Sequence, residues 1–372
     1  MKRWPTKPLS EVAELYQPKT ITSADILSEG PYKVFGANGV IGFYNQYNHE
    51  EPEVAVTCRG ATCGTVNFTE PKCWITGNAM VVSPKDKSLD KRYLFYALKE
   101  ANMNSVISGS AQPQITRQSF APMEIAVPPL AEQERIAKLL DESNELRKLR
   151  AQANRRTAAL IPALFHEMFG DPIANPNAWP VRRLDDVVTP GKIVTYGIVQ
   201  AGPNIPNGIP YIRTGDLKDG VIKLEGLLRT SSEIATSYRR SEVAAGDIVM
   251  SIRATVGTTA VVPQELDGAN LTQGTARISP GNDTVTDYLL WFIRMAQTQS
   301  WIQSQVKGAT FREITLGNLR QLPVLLPPLP LQKQFAQRVA EIRELEASQA
   351  TSRTHLDALF QSMLHRAFNG DL

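Results

Sequence analysis

Cysteine is scarce, with three residues in 372 (Cys58, Cys63 and Cys73). An odd, small number in a chain this long excludes a disulfide-built scaffold and points to a reducing cytoplasm. The four histidines, His49, His166, His355 and His365, show no metal-ligand spacing. No run of about 18 apolar residues occurs, so no membrane span is expected. The opening MKRWPTKPLSEV has charge but no apolar core behind it, and does not read as a signal peptide. Net charge is only +3, divided as +1 over 1–128, 0 over 129–171, +2 over 172–326 and 0 over 327–372. Any nucleic-acid contact must therefore be focused on one face. Catalytic signatures are missing too. There is no G-x-x-x-x-G-K-[ST] loop for a nucleotide triphosphate and no N-P-P-[YF] or D-P-P-[YF] corner for methylating adenine. The Pro-Pro pairs read VPPL and LPPL, GDPI lacks a second proline, and FGANG at 35–39 is echoed only by TGDLK.

What is present is a duplication, sought first because a missed repeat misreads the fold. PPLAEQERIAKLL at 128–140 is echoed by PPLPLQKQFAQRV at 327–339. WPTKPLSEV at 4–12 matches WPVRRLDDV at 179–187, and GPYKVFG at 30–36 matches IPYIRTG at 209–215. EVAVTCRGATCGT at 53–65 matches DIVMSIRATVGTT at 247–259, and ITGNAMVVSP at 75–84 matches LTQGTARISP at 271–280. YLFYALK at 93–99 matches YLLWFIR at 288–294, and SGSAQPQIT at 108–116 matches VKGATFREIT at 306–315. The order is the same throughout.

Each copy is a mixed domain followed by a long helix. EVAVTCRG and DIVMSIRA alternate as strands do. Asn38-Gly39 marks a turn between extended segments. KRYLFYALKEANMNSVISG predicts a helix over 91–109 stopped by Gly109. MEIAVPP and LPVLLPP read as last strands, ended by prolines that cannot continue a ladder. Heptad spacing predicts helices from Gln133 to about Met168 and from Gln332 to about Phe368. The seam is expected at Leu139, Leu146, Ala153 and Leu160, and at Phe335, Ile342, Gln349, Leu356 and Met363, joined by Val339 and Phe360. Pro162 should kink the first helix. FGDP at 169–172 and FNGDL at 368–372 end the two helices.

This architecture resembles the DNA-specificity subunit of type I restriction-modification systems. The resemblance rests on the duplicated domains, on P-P-L-A-E-Q-E-R-I (128–136) and P-P-L-P-L-Q-K-Q-F (327–335), and on the tails ALFHEMFGD (163–171) and ALFQSML (358–364). It covers essentially the whole chain. The second copy departs at Leu331, where the first has Glu132. The resemblance implies an α+β fold with two pseudo-symmetric mixed α/β target-recognition domains separated by an antiparallel, coiled-coil-like pair of long helices. The division would be 1–128, first recognition domain; 129–171, central helix; 172–326, second recognition domain; 327–372, C-terminal helix. Each domain would read one half of a bipartite double-stranded DNA site. The chain would be non-catalytic and carry no cofactor. Two modification subunits, holding S-adenosylmethionine and methylating adenine, would dock on the helices, and motor-nuclease restriction subunits would join for cleavage. The other readings are a stand-alone bivalent DNA-binding regulator, and a methyltransferase or nuclease in its own right.

Base reading needs arginine, lysine, asparagine or glutamine at base edges, with further donors on phosphates. Arg59 and Arg253 hold the same position in both copies. Either they contact DNA or they are structural arginines paired with carboxylates. The loops at 110–117 and 309–315 share a frame but differ in side chain, offering Gln112, Gln114, Arg117 and Arg312. Asn38, Arg213 and Gln273 are further candidates. Arg147, Lys148, Arg150, Arg155 and Arg156 form a basic cluster, read either as a solvated helix face or as a phosphate or partner contact. The cysteines read as packing rather than as a zinc site. Ile252, Val256 and Ala269 stand in their places in the second copy, so these are apolar slots.

Overall fold

A computed structural model describes residues 4–371 except 38, 110, 111, 309–311 and 370. The chain divides into two compact units, Met1–Gln152 with Ala350–Leu372, and Ala153–Gln349. The division falls inside both long helices.

The first unit is built on a four-stranded antiparallel sheet in the order Ala13–Tyr16, Ala79–Pro84, Val54–Thr57, Val66–Phe68. The second unit repeats it as Thr195–Tyr196, Thr275–Ile278, Ile248–Ser251, Thr259–Val261. Val54–Thr57 and Ile248–Ser251 are interior strands covered on both faces, and all four residues of each are buried. The alternation read from sequence is therefore absent: a doubly covered strand needs no polar face. A three-stranded sheet accompanies each, with Tyr32–Gly36 between Gly39–Tyr44 and Trp74–Ile75, and Ile209–Ile212 between Arg229–Thr230 and Asn270–Leu271. In each, one pair is antiparallel and the other parallel. Thr6–Pro8 pairs with Glu124–Ala126, and Val181–Arg183 with Pro323–Leu325. The W-P segment and the pre-Pro-Pro segment thus close each domain together. The second unit adds a small hairpin, Leu217–Lys218 with Val221–Ile222.

The helix expected over 91–109 is shorter. It spans Lys91–Glu100, and its N-cap Asp90 accepts a hydrogen bond from the Tyr93 amide at 2.7 Å. Ala101 is extended, and a 3-10 turn follows at Met103–Ser105. The echo is likewise split, into Thr286–Arg294 and Ala296–Ser304.

Long helices begin directly after each Pro-Pro, at Leu130 and Leu329. A glutamine one turn in anchors each to its domain. Gln133 Oε1 accepts from the Asp90 amide (2.8 Å), and its Nε2 donates to the carbonyls of Ser88 (2.9 Å) and Pro128 (2.8 Å). Gln332 does the same with the Val285 amide (2.9 Å) and the Asp283 and Pro327 carbonyls (3.0 and 2.8 Å). Both glutamines are fully buried.

The first long helix runs Leu130–Ala158 and stops, and a second, Leu160–Phe169, starts after Ala159. The interruption precedes Pro162 because proline is tolerated in a first turn, where its missing N–H has no intrahelical partner. Leu329–Asn369 is continuous. In the first unit Ile136, Ala137 and Leu140 share a core with Phe360, Leu364 and Ala367, and Arg147 Nε donates to Asp357 at 2.6 Å. In the second, Phe165 and Phe169 pack with Phe335 and Val339, and Gln349 Nε2 donates to Thr157 Oγ1 at 3.0 Å. The rising and falling numbers make the helix segments antiparallel within each unit. Over residues 130–169 the seam differs from the heptad expectation, with Leu146 53% exposed and Leu160 43%, while Phe335, Val339 and Phe360 of Leu329–Asn369 are buried as expected. The buried face is set by docking onto the domain, which moves it to Ile136, Leu140, Ile161 and Phe165.

An ion pair ties each domain helix to its long helix, with the charges reversed between copies. Arg92 pairs with Asp141 while lying over the Phe68 ring at 4.3 Å, and Tyr96 Oη donates to the same carboxylate at 2.6 Å. In the second unit Asp287 pairs with Arg343 at 2.8 Å.

Candidate nucleic-acid interface

At the end of the central strand of each domain the chain makes the same corner. Cys58 N–H donates to the Asn78 carbonyl (2.9 Å) and Ile252 N–H to Gly274 (2.9 Å). Ile115 N–H donates to Cys58 O and Ile314 N–H to Ile252 O, both at 3.0 Å. Gly60 N–H donates to Pro113 O and Ala254 N–H to Arg312 O, both at 3.1 Å. Gly60 (φ 89°) and Ala254 (φ 57°) share a left-handed backbone. That costs alanine roughly 1 kcal/mol and marks a corner its surroundings hold in place. Arg59 and Arg253 are the residues displayed there.

Across each corner lies the loop singled out by sequence. Arg59 forms an isolated antiparallel bridge with Gln114, and Arg253 one with Glu313. The loop closes on itself through paired backbone bonds, Ser108 with Gln114 (2.9 and 2.9 Å) and Lys307 with Glu313 (2.9 and 3.0 Å). Gln112 and Gln114 are exposed on the first loop and Arg312 on the second, whereas Arg117, expected on the loop, is the exposed first residue of a short helix, Arg117–Phe120. Arg312 Nη2 donates to Gln303 Oε1 at 2.6 Å. The two corners differ in charge. Arg59 is exposed and makes no ion pair or side-chain hydrogen bond among the described residues. Arg253 Nη2 donates to Glu313 Oε1 at 3.2 Å. Its Nε lies 3.2 Å from Oε2, off the line of a hydrogen bond.

Gln273 and Arg213 flank the second corner. Gln273 N–H donates to Ile198 O at 2.9 Å and its side chain is half-exposed. The next residue is Gly274, where a Cβ would come within 2.6 Å of Thr214 Oγ1 and 4.0 Å of Arg253 Cβ. A side chain at Gly274 would have to push the Thr214 hydroxyl aside. Arg213 is clamped by Asp216, Nε to Oδ2 at 3.0 Å and Nη2 to Oδ1 at 2.8 Å. This partner raises the guanidinium pKa further and orients one face of it. Asn38 lies outside the described residues.

The sequence reading missed Glu313. Its signal is the loop alignment, which sets Glu313 against Gln114, a carboxylate where the other copy has an amide. Cys58 and Cys73 are fully buried, in separate apolar clusters, and Cys63 is half-buried against the first. Burial pushes all three thiols up. Ile252, Val256 and Ala269 are buried in the second unit. Cys58 Sγ also accepts from Gln17 Nε2 at 3.0 Å and donates to the Asn78 carbonyl at 3.1 Å, and the three thiols otherwise pack as small apolar side chains. Among the described residues no helix is long and apolar enough to cross a membrane.

The family model for the type I restriction modification DNA specificity domain matches residues 1–155 and again 176–351. The specificity subunit of the type I restriction enzyme EcoBI from Escherichia coli is 26% identical over 331 residues, covering 78% of this chain and 68% of that one. The specificity subunit of the MjaVIII enzyme from Methanocaldococcus jannaschii is 24% identical over 316 residues, covering 79% and 73%. The crystal structure of the type I S subunit from M. genitalium shares the fold, with a TM-score of 0.61 at 16% identity, covering 98% and 96%. A chain solved in work on complex assembly and conformational transition of the type I system gives 0.61 at 20%, covering 100% and 99%. With two matches that span most of its length, the chain belongs to the type I restriction-modification DNA specificity family.

Proposed function

We propose that residues 1–128 and 172–326 each read one half of a bipartite duplex site, and that the chain does no chemistry itself. Residues 129–171 and 327–372 are the helical frame on which two adenine-methylating modification subunits dock. Those subunits hold S-adenosylmethionine, and motor-nuclease subunits join for cleavage. The observation that carries this is the repeated corner. Two domains keep the same backbone hydrogen bonds around Arg59 and Arg253 while displaying different neighbours, Gln114 in one and Glu313 in the other. One frame with two sets of side chains is what two half-site readers need. Docking on the helices is supported by Leu146 and Leu149, each 53% exposed on the first long helix.

The test is to exchange residues 179–326 for the matching domain of a relative and map methylation in cells that also make the modification subunit. One half of the methylated sequence should change and the other stay. A change in both halves rejects independent readers. Methylation without a bipartite motif rejects the reading as a whole.

A further inference from the structure

The arginine corners are alike in backbone and unlike in what faces them. Arg253 shares its bridge with a carboxylate, Arg59 with an amide. Arg253 and Glu313 are 40% and 39% exposed, so the ion pair is presented to solvent rather than sealed in the core. Both sides of the bridge are held by backbone bonds, and Ser251 Oγ fixes the Arg253 carbonyl at 2.8 Å. The two side chains therefore project from a preorganised frame, which lowers the cost of ordering them on a ligand.

On the reading that each domain contacts DNA, we propose that the loop position bridged to the arginine selects the base pair. Glu313, presented together with Arg253, selects a G·C pair, and Gln114 selects an A·T pair. Glu313 engages the Nε and Nη2 side of the guanidinium. The outward hydrogens of Nη1 and Nη2 stay free as a fork for the O6 and N7 acceptors of guanine. The carboxylate keeps lone pairs for the N4 amino group of cytosine. One ion pair thus matches both members of a G·C pair in the major groove. A carboxylate also repels phosphate and offers nothing to a thymine O4, which sharpens its choice. Gln114 carries a donor and an acceptor on one amide, the complement of adenine N7 and N6. Arg59, which has no ion pair among the described residues, stays available to phosphate.

The test is selection from a randomised duplex pool by the full chain in complex with its modification subunits, comparing wild type with Glu313→Gln and Gln114→Glu. Glu313→Gln should lower discrimination at one G·C position of one half-site by about tenfold or more. The other half-site should be unchanged, which also shows that the variant is folded. Gln114→Glu should alter an A·T position in the opposite half-site. A wild-type site that survives both substitutions unchanged overturns this inference and leaves the DNA reading standing, as does one substitution that alters both halves. A wild-type complex that enriches no sequence overturns the DNA reading and this inference with it.

Discussion

Gln133 and Gln332 make the same three hydrogen bonds in the two copies: one accepted from the amide at or next to the start of a domain helix, one donated to a loop carbonyl, and one donated back to the first proline of the Pro-Pro pair. This is the physical content of the repeated P-P-L-x-x-Q. The prolines stop the last strand, free the next residues to start a helix, and leave a carbonyl that the glutamine satisfies. A buried side chain with every polar atom bonded fixes the angle at which a helix leaves its domain.

Gln133→Ala should leave the Asp90 amide and two carbonyls without partners. The expected loss is about 1–3 kcal/mol, read by urea unfolding. Gln133→Glu keeps the acceptor but turns a charge on two carbonyl oxygens, and should do at least as badly. Gln332→Ala should match Gln133→Ala. Unchanged midpoints in all three would show that the motif is not an anchor.

Arg59→Ala removes an exposed side chain with no ion pair or side-chain hydrogen bond among the described residues. Its stability should stay within about 0.5 kcal/mol of wild type. Arg253→Ala breaks a half-exposed ion pair, which should cost no more than about 1 kcal/mol. Specific DNA affinity should fall by about 1–3 kcal/mol in Arg253→Ala, which removes a base contact, and almost equally for all sequences in Arg59→Ala, which removes a phosphate contact. Calorimetric melting and a binding titration on the same samples separate the roles. A collapsed melting temperature with intact affinity of the folded fraction makes the arginines structural.

Much of this was legible in the sequence for one reason: the chain is written twice. Each copy served as a control for the other, so that Ile252 explained Cys58 and Ala269 explained Cys73. Features that depend on packing between distant segments were not legible. Leu146 fits a heptad but is exposed, because Ile136 and Leu140 turn the helix face onto the domain. The break at Ala159 falls before Pro162 because proline marks a helix start as readily as a kink. Glu313 was not legible because an acidic side chain in this loop gains meaning only from Arg253 beside it, a pairing that the fold sets across 60 residues.

His49 should make the first domain sensitive to mild acid. It is half-buried, with Nε2 3.0 Å from Tyr16 Oη and Nδ1 2.6 Å from Asn48 Oδ1. Burial holds its pKa below the ordinary 6.5, Glu53 works against that shift and Lys91 reinforces it. A depressed histidine pKa means that the unfolded chain takes up the proton first as pH falls. Stability should therefore decline as pH drops through about 6.5 and level off below the folded-state value. Melting temperatures between pH 8 and pH 5 for wild type and His49→Gln check this. The variant should lose part of the slope; identical slopes would remove His49 from the account.

The long helices should act as a ruler for the unread gap in the DNA site. Leu130–Ala158 has 29 residues, a length of about 43 Å at roughly 1.5 Å per residue. At roughly 3.4 Å per base pair that allows at most about 13 base pairs between half-site centres. Reading from one side of the duplex favours about 10. Residues 151–155 are the place to test it, because the chain passes there from one compact unit to the other at Gln152 and Ala153, away from both domain cores. Four residues inserted between Ala151 and Arg155, with four more between Gln349 and Thr351 in the continuous helix that also packs in both domain cores, add about one helical turn, roughly 6 Å. Mapped methylation should show the unspecified gap longer by about one or two base pairs, with both specified blocks intact. If the insertion alters the blocks, or if activity persists with the gap unchanged, the helices hold the domains without measuring the distance between their targets.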